Sequence, residues 1–523
     1  KNNTMRLFFT SLATLLLLWC NAQQITPFPN RYQPQPGQLA VPAKLTISAA
    51  EKELAALIPV FARSAKDFYG ITVKEKSKNG FVRIVRTKQI SGAEAYKLTI
   101  GKNGVVIEGG SDQGCFYGLQ SLLQLLNEAQ PGGTLNCAVI EDQPRFGWRG
   151  VMLDESRHFF GKEQVKQILD LMALQKLNKF HWHLTDVPGW RIEIKQYPRL
   201  TTTGGIGNHT DPAAPARFYT QEEIAEIVEY ARQRFIEVIP EIDMPGHATA
   251  AVKAYPEFNG GGSERYPDFT FNPGKEGTYS FLTNILREVT RLFPSDYIHI
   301  GGDEVHFGNE HWSALPEVQQ LMNTQKLKNL VEVEHYFLHR MADSIQTIGK
   351  KVVGWDEVVT AGLPNSNTLV MWWRHDQKPL LNKAITQNYE VVLCPRIPLY
   401  FDFVQNKTHT HGRKWQGSYA PIEAVYDFPD NYFAGEISVT DPLVKGIQAN
   451  VWSETIHTPE RMQFMLYPRL SALAEAAWTE SHAKNRERFF EQMNSMLKLY
   501  QQKGINFFDY RNPDSPETFG PEK

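Results

Sequence analysis

Two adjacent carboxylates, Asp303 and Glu304, follow Gly301 and Gly302 at the end of an apolar run. Neighbouring side chains leave the backbone in different directions, and a Gly-Gly pair lets that backbone turn sharply, so one loop could serve two reactive positions. Like charge and partial burial raise the pKa of one member of such a pair, as an acid working near neutral pH requires. Glycosidic cleavage asks for such an acid and for something that stabilises an oxocarbenium-like centre. The competing reading is an acidic pair that caps a helix at the surface, and two residues alone do not exclude it.

What else falls at the ends of apolar runs decides the matter. Asp154 and Arg157 follow one run; His181-Trp182-His183 closes another and leads to Asp186. Asp243 and His247 follow a third, and Trp355-Asp356-Glu357 and Trp372-Trp373-Arg374 close two more. Tyr400 and Asp402 lie beyond a further run, and Trp452 and Glu454 end the last. Carboxylates and Arg bind sugar hydroxyls in pairs, and indoles stack on the apolar C–H faces of sugar rings. Acids and tryptophans gathered at one mouth describe a carbohydrate pocket.

The elements that must carry these residues alternate. Strand-like runs occur at Gly150–Leu153, Lys179–Leu184, Glu237–Ile242, Tyr297–Ile300, Lys351–Trp355, Thr368–Trp373, Glu390–Leu393 and Gly446–Trp452. Helical periodicity appears at Gln164–Leu177, Glu222–Arg234, Tyr279–Leu292, Val331–Ile348 and Arg461–Trp478. Alternation implies parallel strands with right-handed crossovers. A doubly wound open sheet would concentrate its polar residues at one switch point, whereas here they follow every run. The α/β class is therefore expected in its (β/α)8 TIM-barrel form, over residues 143–500. Ahead of it, Phe81–Val85, Tyr96–Ile100, Val105–Glu108 and a helix at Phe116–Leu126 suggest a small non-catalytic α+β domain over 43–142. Five prolines between Pro27 and Pro42 suggest an extended lead-in over 23–42, and 501–523 reads as a C-terminal tail.

Residues 1–22 read as a secretory signal: Arg6, the apolar run Leu7–Trp19, then the small and polar Cys20-Asn21-Ala22. Cleavage after Ala22 is expected; a lipid anchor at Cys20 is the alternative, disfavoured by the bulky Trp19 before it. Export to a bacterial periplasm or outer surface follows. No later stretch approaches the roughly 18 apolar residues of a membrane span. Basic and acidic residues number 55 and 57, a net charge of −2, so nothing suggests a nucleic-acid partner. Hydrophobic residues at 42% and charged residues at 21% exclude wholesale disorder. The four cysteines are too scattered for a disulfide scaffold or a CxxC zinc site. Cys115 and Cys137 could pair after export but read as two buried thiols. No cofactor and no metal are expected.

The segment Tyr297-Ile298-His299-Ile300-Gly301-Gly302-Asp303-Glu304-Val305 resembles the signature of glycoside hydrolase family 20, the exo-acting β-N-acetylhexosaminidases. The likeness continues in Leu153–Phe159, Lys179–Asp186, Pro240–His247, Gly354–Glu357 and Gly446–Glu454, and covers nearly all of the chain after the signal. What the resemblance implies is a retaining, substrate-assisted mechanism, in which the substrate's 2-acetamido oxygen attacks the anomeric carbon and forms an oxazolinium intermediate. Glu304 would be the general acid and then the base, and Asp303 would orient the acetamide and stabilise its developing charge. Tyr400 would bind the acetamide oxygen, and Trp355, Trp373 and Trp452 would wall the pocket. Arg157, Asp186 and Glu454 would bind hydroxyls at the closed end, with Asp402 nearer the reacting carbon. His247 with Asp243 would position the acid, supported by His183. The expected partners are oligosaccharides or glycoconjugates ending in N-acetylhexosamine.

Two features depart from the family pattern. Trp372-Trp373 replaces a single tryptophan, and Trp373 is chosen because it precedes Arg374; the aromatic loop 403–445 is left unassigned. Arg157 with Glu454 could instead be a structural ion pair. Two other functions fit parts of the sequence. His181-x-His183 at a strand end is how metal-dependent barrel amidohydrolases begin a site, but the fifth and sixth runs here end in tryptophan. A catalytically silent glycan-binding protein would be expected to lack the acid.

Overall fold

The computed structural model describes residues 25–517. Eight parallel strands, in chain order, close into a barrel whose eighth strand (Val444–Val451) pairs with its first (Trp148–Asp154). Between these lie Lys179–His183, Glu237–Glu241, Tyr297–His299, Lys351–Trp355, Thr368–Trp372 and Glu390–Leu393, joined mainly through outer helices. Every residue of Thr368–Trp372 is buried, which is why the run is almost wholly apolar rather than alternating. Closure depends on a close approach at Gly446, whose φ is +155°. A Cβ there would sit 1.8 Å from the Trp148 carbonyl oxygen.

The periodicity predicts one helix over Arg461–Trp478, but the structure has two, Pro459–Leu466 and Arg469–Trp478. Pro468 explains the break, since it offers no amide donor and crowds the preceding turn. Helix Gln221–Arg232 starts at a capping box between Thr220 and Glu223.

The small domain is a mixed sheet of seven strands, in the order 31–40, 134–142, 96–101, 104–109, 82–86, 45–49, 73–75. The proline-rich segment is not a separate lead-in: Arg31–Ala40 pairs antiparallel with Thr134–Asp142 as an edge strand. An edge tolerates proline because one side of the strand needs no donors, and the register shifts between Pro34 and Gln38. The expected helix is longer, Asp112–Ala129, and Ser111 caps it. It joins the domain to the barrel through Tyr117 against Trp478 (5.1 Å) and Phe116 against Phe235 (5.2 Å). At the same junction Asp142 receives hydrogen bonds from Tyr96 (2.7 Å), Lys176 (3.1 Å) and Trp478 (3.0 Å).

The C-terminal segment is not a loose tail either. Helix Arg486–Lys503 is followed by buried Ile505 and Phe508, and Glu517 pairs with Arg461. Cys115, Cys137 and Cys394 are buried free thiols. The expected signal segment and Cys20 lie outside the described residues. Among the described residues no helix is long and apolar enough to cross a membrane.

Candidate active site

The loops after the barrel strands enclose a cavity of about 780 Å³ at the carboxyl-terminal face. Its acid loop turns through three left-handed residues, Gly301 (φ +66°), Gly302 (φ +87°) and Glu304 (φ +53°). A Cβ at Gly301 would lie 1.8 Å from Asp243 Oδ1, so only glycine lets that carboxylate pack beneath the loop. The two acids separate as their order suggests: the Asp303 side chain is 12% exposed and that of Glu304 32%. Burial pushes the Asp303 carboxyl up to about 7, with the His247 charge opposing and Glu304 and Glu241 reinforcing the rise. Burial and Asp303 likewise raise Asp243 well above the carboxylate range.

His247, itself left-handed at φ +54°, sets its ring between two groups of carboxylates. Nδ1 lies 3.0 Å from Asp186 Oδ1, while Nε2 is 3.7 Å from Glu304 and 3.9 Å from Asp303. Burial disfavours its charge, but Asp186, Asp243 and Asp303 outweigh burial and raise its pKa well above 6.5. The other Asp186 oxygen takes Arg157 at 2.7 Å and His183 at 2.9 Å. Asp186 lines the cavity, yet both its oxygens are committed to protein partners. It orients cations rather than offering itself freely to a hydroxyl.

Beside Arg157, Arg413 holds Glu454 through Nη2 and Asp402 through Nε, each at 2.7 Å. Asp402 is buried under Arg413 and is not among the cavity-lining residues, but only its Oδ2 is paired, and Oδ1 has no hydrogen-bond partner among the described residues. Glu454 pairs with Arg413 rather than with Arg157, whose guanidinium lies 4.9 Å over the Trp452 ring. Arg413 carried no signal in the sequence: it is one cation in a long loop, brought to the site by pairing of Phe403 with Arg413.

Tyr400 stacks parallel to Trp373 at 6.2 Å and 8°, and Trp452 lies 6.1 Å from Tyr400. Burial raises the Tyr400 hydroxyl well above its usual pKa, which keeps it a neutral donor. Trp373 is fixed by its indole N–H on Glu357 Oε2 (3.0 Å), whereas Trp372 packs away from the site on Phe433. Consecutive residues at a strand end face opposite ways. Trp355, expected as a wall, is nearly fully buried behind Trp452 and is not among the residues that line the cavity; its indole donates to Glu241 at 3.1 Å. Asp303 Oδ1, Trp452 Nε1 and Glu454 Oε2 are buried without a hydrogen-bond partner among the described residues. Such atoms call for a polar ligand.

A family model, Glycosyl hydrolase family 20, catalytic domain, matches residues 146–481. The chain belongs to this family. Its domain 2 model matches residues 22–143, which include the proline-rich edge strand. The chain is 37% identical over 504 residues to a β-hexosaminidase of Porphyromonas gingivalis, covering 92% of this chain and 64% of that protein. It is also 37% identical to a β-hexosaminidase of Vibrio furnissii, covering 75% and 66%. The chain thus spans about two thirds of the length of these relatives. The fold superposes on the family 20 exo-β-N-acetylglucosaminidase of Vibrio harveyi in complex with N-acetylglucosamine (TM-score 0.86, 33% identity, 94% of this chain and 79% of that one). It also superposes on the β-N-acetylhexosaminidase of Bacteroides fragilis (TM-score 0.83, 31% identity, 95% and 100%).

Against this family 20 background, the His181-x-His183 pair has a use other than metal binding. Three clusters have donor atoms close enough to share an ion: His181-Glu241-His299, His183-Asp186-Asp243 and Asp243-His247-Asp303. Glu241 of the first cluster meets histidines from both of its neighbouring strands: its Oε2 lies 2.9 Å from His181 Nε2 and 2.5 Å from His183 Nδ1, and its Oε1 lies 3.0 Å from His299 Nδ1. His181 and His183 therefore each have a carboxylate partner within the protein. Glu241 stands inside the Pro240–His247 motif, where nothing local signals that histidines from two neighbouring strands meet it.

Proposed function

We propose that this family 20 chain is an exo-acting β-N-acetylhexosaminidase that removes terminal, non-reducing N-acetylglucosamine or N-acetylgalactosamine with retention of configuration. One observation carries the mechanism. Of the four carboxylates lining the cavity, Asp186 and Glu454 are tied into ion pairs, which leaves Asp303 and Glu304 on a single loop. Adjacent residues cannot flank a glycosidic bond from both faces, so the nucleophile is assigned to the substrate's own acetamide.

In the first step the acetamide carbonyl oxygen bonds to the anomeric carbon as the bond to the leaving oxygen breaks, and Glu304 protonates that oxygen. Asp303 accepts the acetamide N–H and stabilises the positive charge that develops there. Tyr400 donates to the acetamide oxygen, and Trp373, Trp452 and Trp355 shape the surrounding pocket. In the second step Glu304 takes a proton from water, whose oxygen bonds to the anomeric carbon and reopens the ring. Arg157, Arg413 and Glu454 close one end of the cavity, which suits a single terminal sugar. Exposed Phe307 and Trp415 on the rim give a leaving sugar an apolar surface.

Digestion of a chitin oligomer tests this reading. Shortening one unit at a time, with the released sugar first seen as its β-anomer, is expected. Early internal fragments would refute the exo assignment, and no turnover at any pH would favour a glycan-binding protein. We also propose export, from the Leu7–Trp19 run; N-terminal sequencing of the protein from a periplasmic fraction tests it.

A further inference from the structure

Glu241 ends the third barrel strand as a carboxylate with no solvent exposure. Its Oε2 meets His181 and His183, and its Oε1 receives the Trp355 indole N–H. The two histidines are in different electrical states, and their other nitrogens show it. His181 Nδ1 accepts from the Gln448 amide at 3.1 Å, which makes His181 a neutral ring donating from Nε2. His183 has a carboxylate at each nitrogen, Glu241 at 2.5 Å and Asp186 at 2.9 Å, an arrangement that favours the imidazolium against the Arg157 guanidinium 3.3 Å from Nε2. The pKa directions agree: burial lowers His181 to about 4, whereas for His183 Glu241 and Asp186 outweigh burial and raise it.

From the barrel axis outward the charges therefore alternate: Glu241, His183, Asp186, His247, and then the acid loop. His299 adds a second link: its Nδ1 lies 3.0 Å from both Glu241 Oε1 and the Gly301 amide nitrogen, and its ring stacks on His181 at 4.5 Å. We propose that Glu241 is a positioning residue for the reaction, keeping His183 charged so that Asp186 and His247 hold the acid loop, while anchoring Trp355 behind Trp452. It touches no substrate. The groups facing His183 are Glu241, Asp186, Arg157 (3.3 Å) and Asp154. Those facing His247 are Asp186, Asp243, Asp303 and Glu304.

The inference rests on Glu304 being the acid, so wild-type turnover of a chromogenic N-acetylglucosaminide is established first; its absence would sink that reading instead. Glu241→Gln keeps the shape but removes the charge. It should lower kcat by about 10- to 100-fold, with KM within about threefold, because the lost order matters most at the transition state. His183 should then lose its proton inside the working range, moving the alkaline limb of kcat to lower pH by about one unit or more. Glu241→Asp restores a charge and should bring that limb back toward wild type. A normalised Glu241→Gln profile that superimposes on wild type, or an Asp variant whose limb matches the Gln variant, overturns the proposal. Should Glu241→Gln fail to fold, His183→Asn severs the same link. A similar kcat loss at near-constant KM supports the proposal, and unchanged kcat overturns it.

Discussion

Asp303 and Glu304 sit side by side, yet their surroundings assign them different work. Glu304 is the more open of the two and lines the same cavity as the exposed rim residue Phe307, over which a leaving group can depart. Glu304→Gln should lower turnover by about 10²–10⁴-fold, and less for substrates with good leaving groups, which need less protonation. Equal losses across leaving groups would count against the assignment. For Asp303 the pH sign is set by its raised pKa of about 7. Below that value the free pocket holds a neutral carboxyl, which stabilises a developing cation poorly. The rate constant kcat/KM should therefore fall as pH drops through about 7, because it reports the free enzyme. The acid limb of kcat should lie lower, since bound cationic character favours the carboxylate. Asp303→Asn should abolish the limb near 7 along with most of the rate; a limb that persists in this variant belongs to another group.

The elements work by close approach. The Gly446 segment brings the eighth strand against the first, with backbone from Gly446 to Val451 paired to Trp148–Leu153. Gly446→Ala places a methyl 1.8 Å from a carbonyl oxygen at a φ that L-residues rarely adopt. Separating the strands to admit it also displaces Trp452 and Glu454 just beyond. Destabilisation of about 2 kcal/mol or more is expected, read as a lower thermal midpoint, together with a raised KM. An unchanged midpoint would mean that the barrel seam relaxes freely. Helix Asp112–Ala129 acts differently: its residues from Gly114 to Leu126 are all buried, because it is covered by its own sheet and by the barrel. Its apolar stripe alone does not reveal the second covering surface.

Across the whole molecule, the small domain is bonded to the barrel by a charge pair with no exposure on either side chain, Lys176 with Asp142. Lys176→Met leaves Asp142 buried without its cation, and the expected cost is about 3–5 kcal/mol of stability. Because Lys176 lies far from the pocket mouth, KM of the folded fraction should stay within about twofold. A large KM change would show instead that the small domain tunes the site. The edge strand Arg31–Ala40 belongs to the same joint, since its partner strand ends in Asp142.

The residue types at strand ends were legible from the sequence alone, because strand period, turn-forming glycines and adjacency are local properties. So was the barrel class, whereas the roles given to the acid pair and the choice of Trp373 over Trp372 came from the resemblance to family 20. The pairing of charges was not legible. Asp186 and Asp402 read as hydroxyl binders until the fold showed the first engaged by Arg157, His183 and His247, and the second held by Arg413. Arg413 is hidden in a loop without periodicity, and the prolines of Arg31–Ala40 read as a lead-in because the partner strand lies far along the chain. Glu241 was one letter of a motif until three strands converged on it. Periodicity determines which way a side chain points, but which opposite charge it meets depends on backbone packing between distant segments, and only the tertiary structure decides that.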